Sequence, residues 1–317
     1  MKSFSKPSKL RDGATIAVVA PSSFPLYPHF NLYGGLEYLK SLGYKVVLGE
    51  TLKNALMNGL TSAPPEFRAR ELNWAFGDNT VDAIICARGG VGSLRLLNML
   101  DYDKIRANPK PFVGYSDTTS IQNAILKLSG LPSVQGPMVA VGFNADSDVE
   151  KTKHYWAILL SLLKGETPLL GAWCGGPPPL TIKGGLGRGR LVGGNIILYA
   201  LIAGSKFDPL AQGDILFLED IKEESWRIDN QLASLECRGL LDGLGGVLIG
   251  EFPNNEDSPQ PVRVEELLRE RLAHRPYPSF INYPCCHGYG REPVPLGLYG
   301  ELNADNHTLQ PLEPFAE

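Results

Sequence analysis

Short apolar runs alternate with helix-period runs four times in the first half of the chain, and this alternation constrains the fold more than any other feature. The apolar runs are ATIAVVA, YKVVLG, VDAIICA and PFVGY, and a segment with helical periodicity follows each. Repeated strand–helix units form a parallel sheet that helices cover on both faces. The sequence therefore predicts an α/β protein, with ligands bound outside the carboxyl ends of the strands.

The pattern changes after residue 164. Residues 165–189, GETPLLGAWCGGPPPLTIKGGLGRG, are rich in Gly and Pro and have no helical period, which predicts a linker or interdomain loop. Several short strands with two helical runs follow. A chain of 317 residues is long enough for two domains. We expect an N-terminal domain over residues 1–164 and a smaller, strand-rich domain over residues 190–317.

Composition excludes several classes of partner and location. The 30 basic and 34 acidic side chains give a net charge of −4 without blocks of one sign, which argues against nucleic acid and against an anionic membrane surface. No apolar run approaches the ~20 residues of a membrane helix. The five cysteines lack the even number and regular spacing of a disulfide framework. We therefore expect a reduced, cytoplasmic protein.

One serine lies between a predicted strand and a predicted helix, in FVGYSDTTSIQNAILKL. Backbone N–H groups at a helix start point at any anion that forms beside the hydroxyl of Ser116, as in a nucleophile elbow. Ser-Asp-Thr before a helix is equally typical of an N-cap. The stretch alone leaves both interpretations open.

A serine nucleophile requires a base and a group that orients the base. Among the five histidines, His287 follows a short strand and enters a Gly-rich loop, where an imidazole can project into a cleft. Glu219 ends the apolar run DILFLED, with Asp220 as its neighbour. Because side chains alternate along a strand, at most one of these two carboxylates faces His287.

The segment CARGGVGSLRLL supplies a possible second N–H donor for an oxyanion. Its glycines allow the backbone to approach a ligand closely, although a plain strand–helix turn would have the same residues. It lacks the pattern of a dinucleotide-binding fingerprint.

Eight segments resemble the LD-carboxypeptidase family, the S66 group of serine peptidases, in the order in which that family has them. They are VVAPS, RARELNWAF, ARGGVGSLRLL, DYDKI…PKPFVGYSDTT, QGPM, GRLVGGNI, ILFLEDI…RIDNQL and VPLG, and they span about residues 10–302. The family includes murein LD-carboxypeptidases and microcin C immunity peptidases.

The resemblance implies a Ser116, Glu219 and His287 triad, with an oxyanion hole from the backbone N–H groups of Asp117 and Gly90. It implies a Rossmann-like N-terminal domain, a smaller strand-rich C-terminal domain, an active site between them, a homodimer, and neither metal nor cofactor. The expected substrate is a murein peptide that loses its terminal D-alanine.

The predicted substrate contacts are Arg88, Gly89, Gln135, Trp173 and Arg227. Cations suit a substrate with a free carboxylate, and Trp173 suits the adenine of an aminoacyl-nucleotide, which the immunity branch cleaves.

The chain differs from the family pattern at three places. Val91 replaces a frequent Tyr, Gln135 replaces a frequent His, and NYPCCH replaces a Gly- and Phe-rich segment before His287. Two other classes of function stay open: an amidase that uses Cys285 or Cys286, and a two-domain binding protein without turnover.

Overall fold

The computed structural model describes residues 5–26, 28–54, 59–172, 175–253 and 262–317. The helices of these residues are Leu32–Ser41 (α1), Glu50–Asn54 (α2), Pro65–Gly77 (α3), Tyr102–Ala107 (α4), Thr119–Ser129 (α5), Val149–Leu163 (α6), Ile196–Ile202 (α7), Ser225–Cys237 (α8) and Val264–Leu272 (α9). The strands are Thr15–Val19 (β1), Lys45–Leu48 (β2), Ala83–Cys86 (β3), Phe112–Val113 (β4), Ser133–Gln135 (β5), Leu180–Lys183 (β6), Leu186–Asn195 (β7), Ile215–Glu219 (β8), Gly246–Gly250 (β9), Ser279–Tyr283 (β10), Val294–Leu296 (β11), Tyr299–Asn303 (β12) and Thr308–Pro311 (β13).

The first sheet has the strand order β11-β5-β4-β3-β1-β2. Strands β1 to β5 run parallel, and β11 joins antiparallel to β5. The side chains of β3 are all buried, as expected for a strand that is covered on both faces. The predicted parallel sheet in the first half of the chain is confirmed.

The second sheet has the order β13-β12-β7-β8-β9-β10-β6. Its centre, β7 to β10, is parallel, while β6, β12 and β13 pair antiparallel at its edges. The prediction of an α/β fold with a strand-rich second part is therefore confirmed.

Helix α5 lies between the two sheets. Nine of its residues are buried, including the polar Gln122 and Asn123. The amide of Asn123 exchanges hydrogen bonds with the backbone of Gly193 on β7, at 2.8 and 3.2 Å. The helix that follows Ser116 is thus held from both sides, which fixes its N-terminal end.

The boundary between the two parts is less simple than the glycine- and proline-rich stretch suggests. Within residues 165–189, β6 is already a strand of the second sheet and β7 begins at Leu186. Strand β11, from the second half, completes the first sheet. The domain limits at residues 164 and 190 remain a prediction.

Candidate active site

Ser116 occupies a tight turn between β4 and α5. Residues Ser116–Thr118 form a single 3-10 turn, and Ser116 has a φ of 67° in the left-handed region. That conformation costs a non-glycine residue about 1–3 kcal/mol and is found mainly where function requires it. A β carbon added to Gly89 would lie 2.8 Å from the Ser116 β carbon, so the loop after β3 packs directly against this turn.

His287 and Glu219 form a buried pair. Glu219 is the last residue of β8 and is fully buried, and its Oε2 lies 2.7 Å from His287 Nδ1. Burial lowers the pKa of His287, but the charge of Glu219 and this hydrogen bond outweigh it, so the pKa is raised above 6.5. With Nδ1 bonded to the carboxylate, Nε2 is the nitrogen that can exchange a proton.

Tyr115 connects two segments of the site. These are the turn Ser116–Thr118 (the serine turn) and residues 284–293, which carry His287 (the histidine loop). The ring of Tyr115 packs edge-on against the His287 ring, with centroids 5.1 Å apart. Arg291 Nη1 donates to the Tyr115 hydroxyl at 3.2 Å and to the Cys286 carbonyl at 3.4 Å. The residues that precede Ser116 and His287 in the chain are therefore held by one guanidinium group.

Asp220 points away from this pair. Its Oδ1 accepts from Asn195 Nδ2 at 2.7 Å, and its other oxygen accepts from the N–H of Ile197 in the first turn of α7. Burial, together with the charge of Glu219, raises the pKa of Asp220 to about 7. The expectation that only one of the two carboxylates faces His287 is confirmed.

Residues 87–92, which follow β3 and are called the glycine loop here, lie against the serine turn. Gly90 has a φ of 125°, and the N–H of Val91 donates to Ser23 Oγ at 3.2 Å. The Asp117 carboxylate accepts from the N–H of Ser93 at 2.9 Å, which joins the two loops. Among the described residues, the N–H groups of Gly90 and Asp117 donate to no acceptor outside their own turns.

Arg68 is a residue of this region to which sequence reasoning assigned no role. It is fully buried on α3, and its guanidinium donates to the carbonyls of Ala63, Pro21 and Gly92 at 2.8, 2.5 and 3.0 Å. It thereby holds the loops after β1 and β3 together. The apolar periodicity of RARELNWAF places Arg68 on the buried face of the helix, a signal that was available in the sequence.

Two of the predicted substrate contacts differ in how far solvent reaches their side chains. Gln135 is fully buried, and its Nε2 donates to Thr119 Oγ1 at 3.0 Å, so we leave it out of the proposed substrate contacts. Arg227 is 54% exposed on α8 and lies 3.7 Å from Glu223 and 3.8 Å from Glu224.

Of the other three, Gly89 packs against the Ser116 turn, and Arg88 is half-buried beside it. Its guanidinium carbon lies 3.7 Å from the centroid of the Phe30 ring, and its Nε donates to the Gly89 carbonyl. Trp173 lies outside the described residues.

The paired cysteines are poor candidates for a nucleophile. Cys285 and Cys286 are buried, and burial raises the pKa of both thiols. Since the thiolate is the reactive form, these thiols are weak nucleophiles near neutral pH. Over the described ranges, no group of three or more His, Cys, Asp or Glu side chains could hold a metal ion.

Two family models match separate parts of the chain. Residues 16–136 match the LD-carboxypeptidase N-terminal domain, and residues 188–302 match the LD-carboxypeptidase C-terminal domain. The chain belongs to the LD-carboxypeptidase family. As the sequence predicted, it is a serine-type carboxypeptidase and therefore a hydrolase.

Named relatives agree with the family. A Bacillus subtilis protein named "Probable murein peptide carboxypeptidase" is 32% identical over 96% of this chain and 93% of its own length. The murein tetrapeptide carboxypeptidase of Pseudomonas aeruginosa is 30% identical over 76% of this chain and 78% of its own length.

Solved structures share the fold. The microcin C7 self-immunity protein MccF has a TM-score of 0.89 at 24% identity, over 98% of this chain and 99% of its own. The two-part architecture is therefore that of MccF. No helix in the described parts of this LD-carboxypeptidase is long and apolar enough to cross a membrane.

Proposed function

We propose that this LD-carboxypeptidase hydrolyses the amide between an L-centre and a C-terminal D-amino acid, and that it releases D-alanine from a murein tetrapeptide. The observation that supports the proposal is the packing of Tyr115, the residue before the left-handed Ser116, against the imidazole of the Glu219–His287 pair. The murein peptides are suggested by the names of the relatives.

In the proposed first step, Ser116 attacks the amide carbonyl carbon. His287 Nε2 takes the hydroxyl proton, and Glu219 stabilises the imidazolium that forms, through the bond to Nδ1. The imidazolium then gives its proton to the leaving amine of D-alanine. An acyl-enzyme on Ser116 results, and water activated by His287 hydrolyses it by the same steps in reverse.

The negative charge on the carbonyl oxygen needs donors that are already in place. We assign this role to the backbone N–H groups of Asp117 and Gly90, at the serine turn and the glycine loop. Within the part of the chain that the structure describes, these N–H groups have no acceptor outside their own turns, which supports the assignment. Loss of one such donor typically costs about 10²–10³ in rate.

The alternative substrate is an aminoacyl-nucleotide analogue of the microcin C type. The same triad chemistry would apply, and a flat aromatic surface would be needed for the base. The fold likeness to MccF is compatible with this alternative and does not distinguish it from the murein peptide.

The test is mass spectrometry of purified protein incubated with L-Ala-γ-D-Glu-meso-diaminopimelate-D-Ala. Wild type should release one alanine, and Ser116→Ala should release none while it unfolds at the same temperature. Ser161→Ala is a matched control, because the Ser161 hydroxyl donates to the Ile158 carbonyl of its own helix, at 2.9 Å.

Two outcomes would contradict the proposal. Cleavage by Ser116→Ala would remove the nucleophile assignment. Failure of wild type to cleave the peptide, together with cleavage of an aminoacyl sulfamoyl adenosine, would replace the murein substrate by the alternative one.

We also propose that the protein acts as a homodimer, in the cytoplasm, on peptides released during peptidoglycan recycling. Light scattering after size-exclusion chromatography measures the first of these directly. A mass equal to that of a single 34.5 kDa chain would contradict the dimer.

A further inference from the structure

Arg291 bonds to the two residues that directly precede the proposed nucleophile and the proposed base. Its Nη1 donates to the Tyr115 hydroxyl at 3.2 Å and to the Cys286 carbonyl at 3.4 Å. Because Nη1 of a guanidinium carries two hydrogens, it can donate one to each acceptor. Both acceptors belong to buried residues, while Arg291 itself is half-buried. A single nitrogen atom therefore links the serine turn to the histidine loop.

The Cys286 carbonyl belongs to the peptide group that leads into His287. The N–H of Gly288 donates to the Cys285 carbonyl at 2.8 Å, which closes a four-residue turn with His287 at its third position. Cys286, at the second position, has a φ of 53°, in the left-handed region that favours glycine. The bond from Arg291 holds the plane of this peptide group, and that plane sets the direction in which the His287 side chain leaves the backbone.

The Tyr115 hydroxyl is the other acceptor, and the Tyr115 ring is a surface against which His287 packs. The two rings meet edge-on, with centroids 5.1 Å apart. Ser116, the next residue, has the left-handed φ of 67°. A shift of the Tyr115 ring would therefore move both the imidazole and the serine turn.

The guanidinium charge also acts on the imidazole. Over the described ranges, Arg291 belongs to no salt bridge, so no carboxylate there neutralises it at contact distance. The charged groups that act on His287 are Glu219 and Asp220 at the end of β8, which raise its pKa, and Arg291 on its own loop, which lowers it.

The remaining titratable groups against the imidazole are neutral near pH 7. Burial raises the pKa of the Tyr115 hydroxyl on the serine turn and that of the Cys286 thiol on the histidine loop. Among these groups, Arg291 alone opposes the effect of the carboxylates on His287.

We infer that Arg291 is a positioning residue, which holds the Cys286–His287 peptide group and the Tyr115 ring together so that His287 Nε2 meets the Ser116 hydroxyl. The inference rests on the proposed function above, in which His287 takes the Ser116 proton. Arg291 acts through these two neighbours and takes no part in the proton transfer itself.

The first test is Arg291→Met in the D-alanine release assay. The variant loses both hydrogen bonds, so kcat should fall about 10–100-fold while KM stays within about threefold, because a displaced base slows the attack step. Loss of the cation raises the pKa of His287, so the acidic limb of kcat/KM should move to higher pH. A purely structural role would lower the unfolding temperature and leave the limb in place.

Two conservative variants separate geometry from charge. Arg291→Lys keeps the charge but replaces the planar guanidinium by a shorter point donor, so kcat should fall while the acidic limb stays at the wild-type pH. Tyr115→Phe keeps the ring and removes the acceptor. Its kcat should fall about threefold to tenfold, the range for one lost hydrogen bond, again without a shift of the limb.

The combination of Tyr115→Phe with Arg291→Met tests whether the two residues act as one unit. Because Tyr115 has lost its donor in the Arg291→Met background, removal of its hydroxyl should reduce kcat there by less than about twofold. Independent contributions would instead multiply the losses of the two single variants.

Arg238→Met is the matched control. Arg238 is also half-buried, and its Nη1 likewise donates to two acceptors, the carbonyls of Ala200 and Ala203 at the end of α7, at 3.2 and 2.7 Å. These bonds do not involve the serine turn or the histidine loop. The variant should keep kcat within about twofold of wild type and the acidic limb at the same pH.

Labelling of Ser116 by diisopropyl fluorophosphate gives a readout that does not require the peptide. Ser116 Oγ bonds to phosphorus, the phosphorus–fluorine bond breaks, fluoride leaves, and His287 takes the hydroxyl proton. The labelling rate constant should fall at least about tenfold in Arg291→Met and stay within about twofold in Arg238→Met.

The outcomes separate the inference from the proposed function. If Arg291→Met keeps the wild-type kcat and labelling rate, if its acidic limb does not move, or if the losses in the double variant multiply, the inference is overturned and the proposed function stands. If wild type is labelled but cleaves no tetrapeptide, the murein substrate is wrong, and the labelling rates still decide the inference. If wild type is neither labelled nor active, both fail.

Discussion

At the scale of single residues, the proposed role of the Glu219–His287 pair predicts how activity depends on pH. In the proposed mechanism His287 must be neutral to accept the Ser116 proton, and the charge of Glu219 raises the pKa of His287 above 6.5. Activity should therefore be lost as the pH falls through a value above 6.5, because the protonated imidazole is not a base.

The Glu219→Gln variant tests this dependence. It removes the negative charge, so the acidic limb of kcat/KM should move to lower pH, while the plateau rate falls by about 10²–10⁴ because the imidazolium is less stable. Asp220→Asn should move the limb less, since Asp220 acts on His287 only through its charge. A limb at the same pH in wild type and Glu219→Gln would contradict the assignment of Glu219.

At the scale of elements, two strand ends determine the shape of the site. The turn after β3 and the turn after β4 touch at Gly89 and Ser116, and this contact leaves no room for a side chain on Gly89. Arg68 and Ser23 hold the first turn from behind. The position of Ser116 Oγ therefore depends on a neighbouring loop as well as on its own helix.

Gly89→Ala tests the contact between these turns. The added methyl group would lie 3.0 Å from Ser116 Oγ, so the serine must move, and kcat should fall at least about 10²-fold because small misplacements at the reacting atoms are costly. Gly300→Ala on β12 is the control, since its β carbon would meet nothing closer than 3.4 Å. Full activity in Gly89→Ala, measured with the D-alanine release assay, would show that the serine turn does not depend on this packing.

At the scale of the whole molecule, two features join the sheets. Buried polar groups bond across them, and the second half of the chain adds one strand to the first sheet. Strand β11 completes the first sheet from the second half of the chain. The amide of Asn123 pairs with Gly193 on the second sheet, and the N–H of Asn195 donates to Thr119 Oγ1 at the start of α5. We therefore expect the two halves to unfold in a single transition.

Asn123→Ala tests that link. It removes the acceptor of the buried Gly193 N–H and leaves the Gly193 carbonyl with the longer bond from Gln135 Nε2, at 3.4 Å. Because an unpaired buried polar group costs about 1–3 kcal/mol, the free energy of unfolding should fall by about 1–3 kcal/mol in urea titrations followed by circular dichroism and tryptophan fluorescence. Asn73→Ala is the control: Asn73 makes a similar pair of bonds to Met99 and Asp101 at the surface, and its loss should cost less than about 1 kcal/mol. Two separate unfolding transitions in wild type would contradict the expectation that the two halves of the chain unfold together.

Much of the site could be predicted because its residues stand at the ends of strands. An apolar run followed by a helical period locates the carboxyl end of a strand within a few residues, and Ser116, Gly90 and Glu219 all lie at such ends. His287 was found by elimination and by the family pattern. Arg68, Tyr115 and Arg291 were missed, because their importance lies in contacts between segments far apart in sequence.

The sequence by itself determined the alternation of strands and helices, the parallel first sheet, the family, and the residues proposed for the triad. These follow from local periodicity and from motifs that are short along the chain. Only the tertiary structure decided that Gln135 is buried, that Asn123 bonds to Gly193 on the second sheet, and that Arg291 bonds to both the Tyr115 hydroxyl and the Cys286 carbonyl. Those features depend on which strand ends meet across two sheets, and packing between distant segments sets that arrangement.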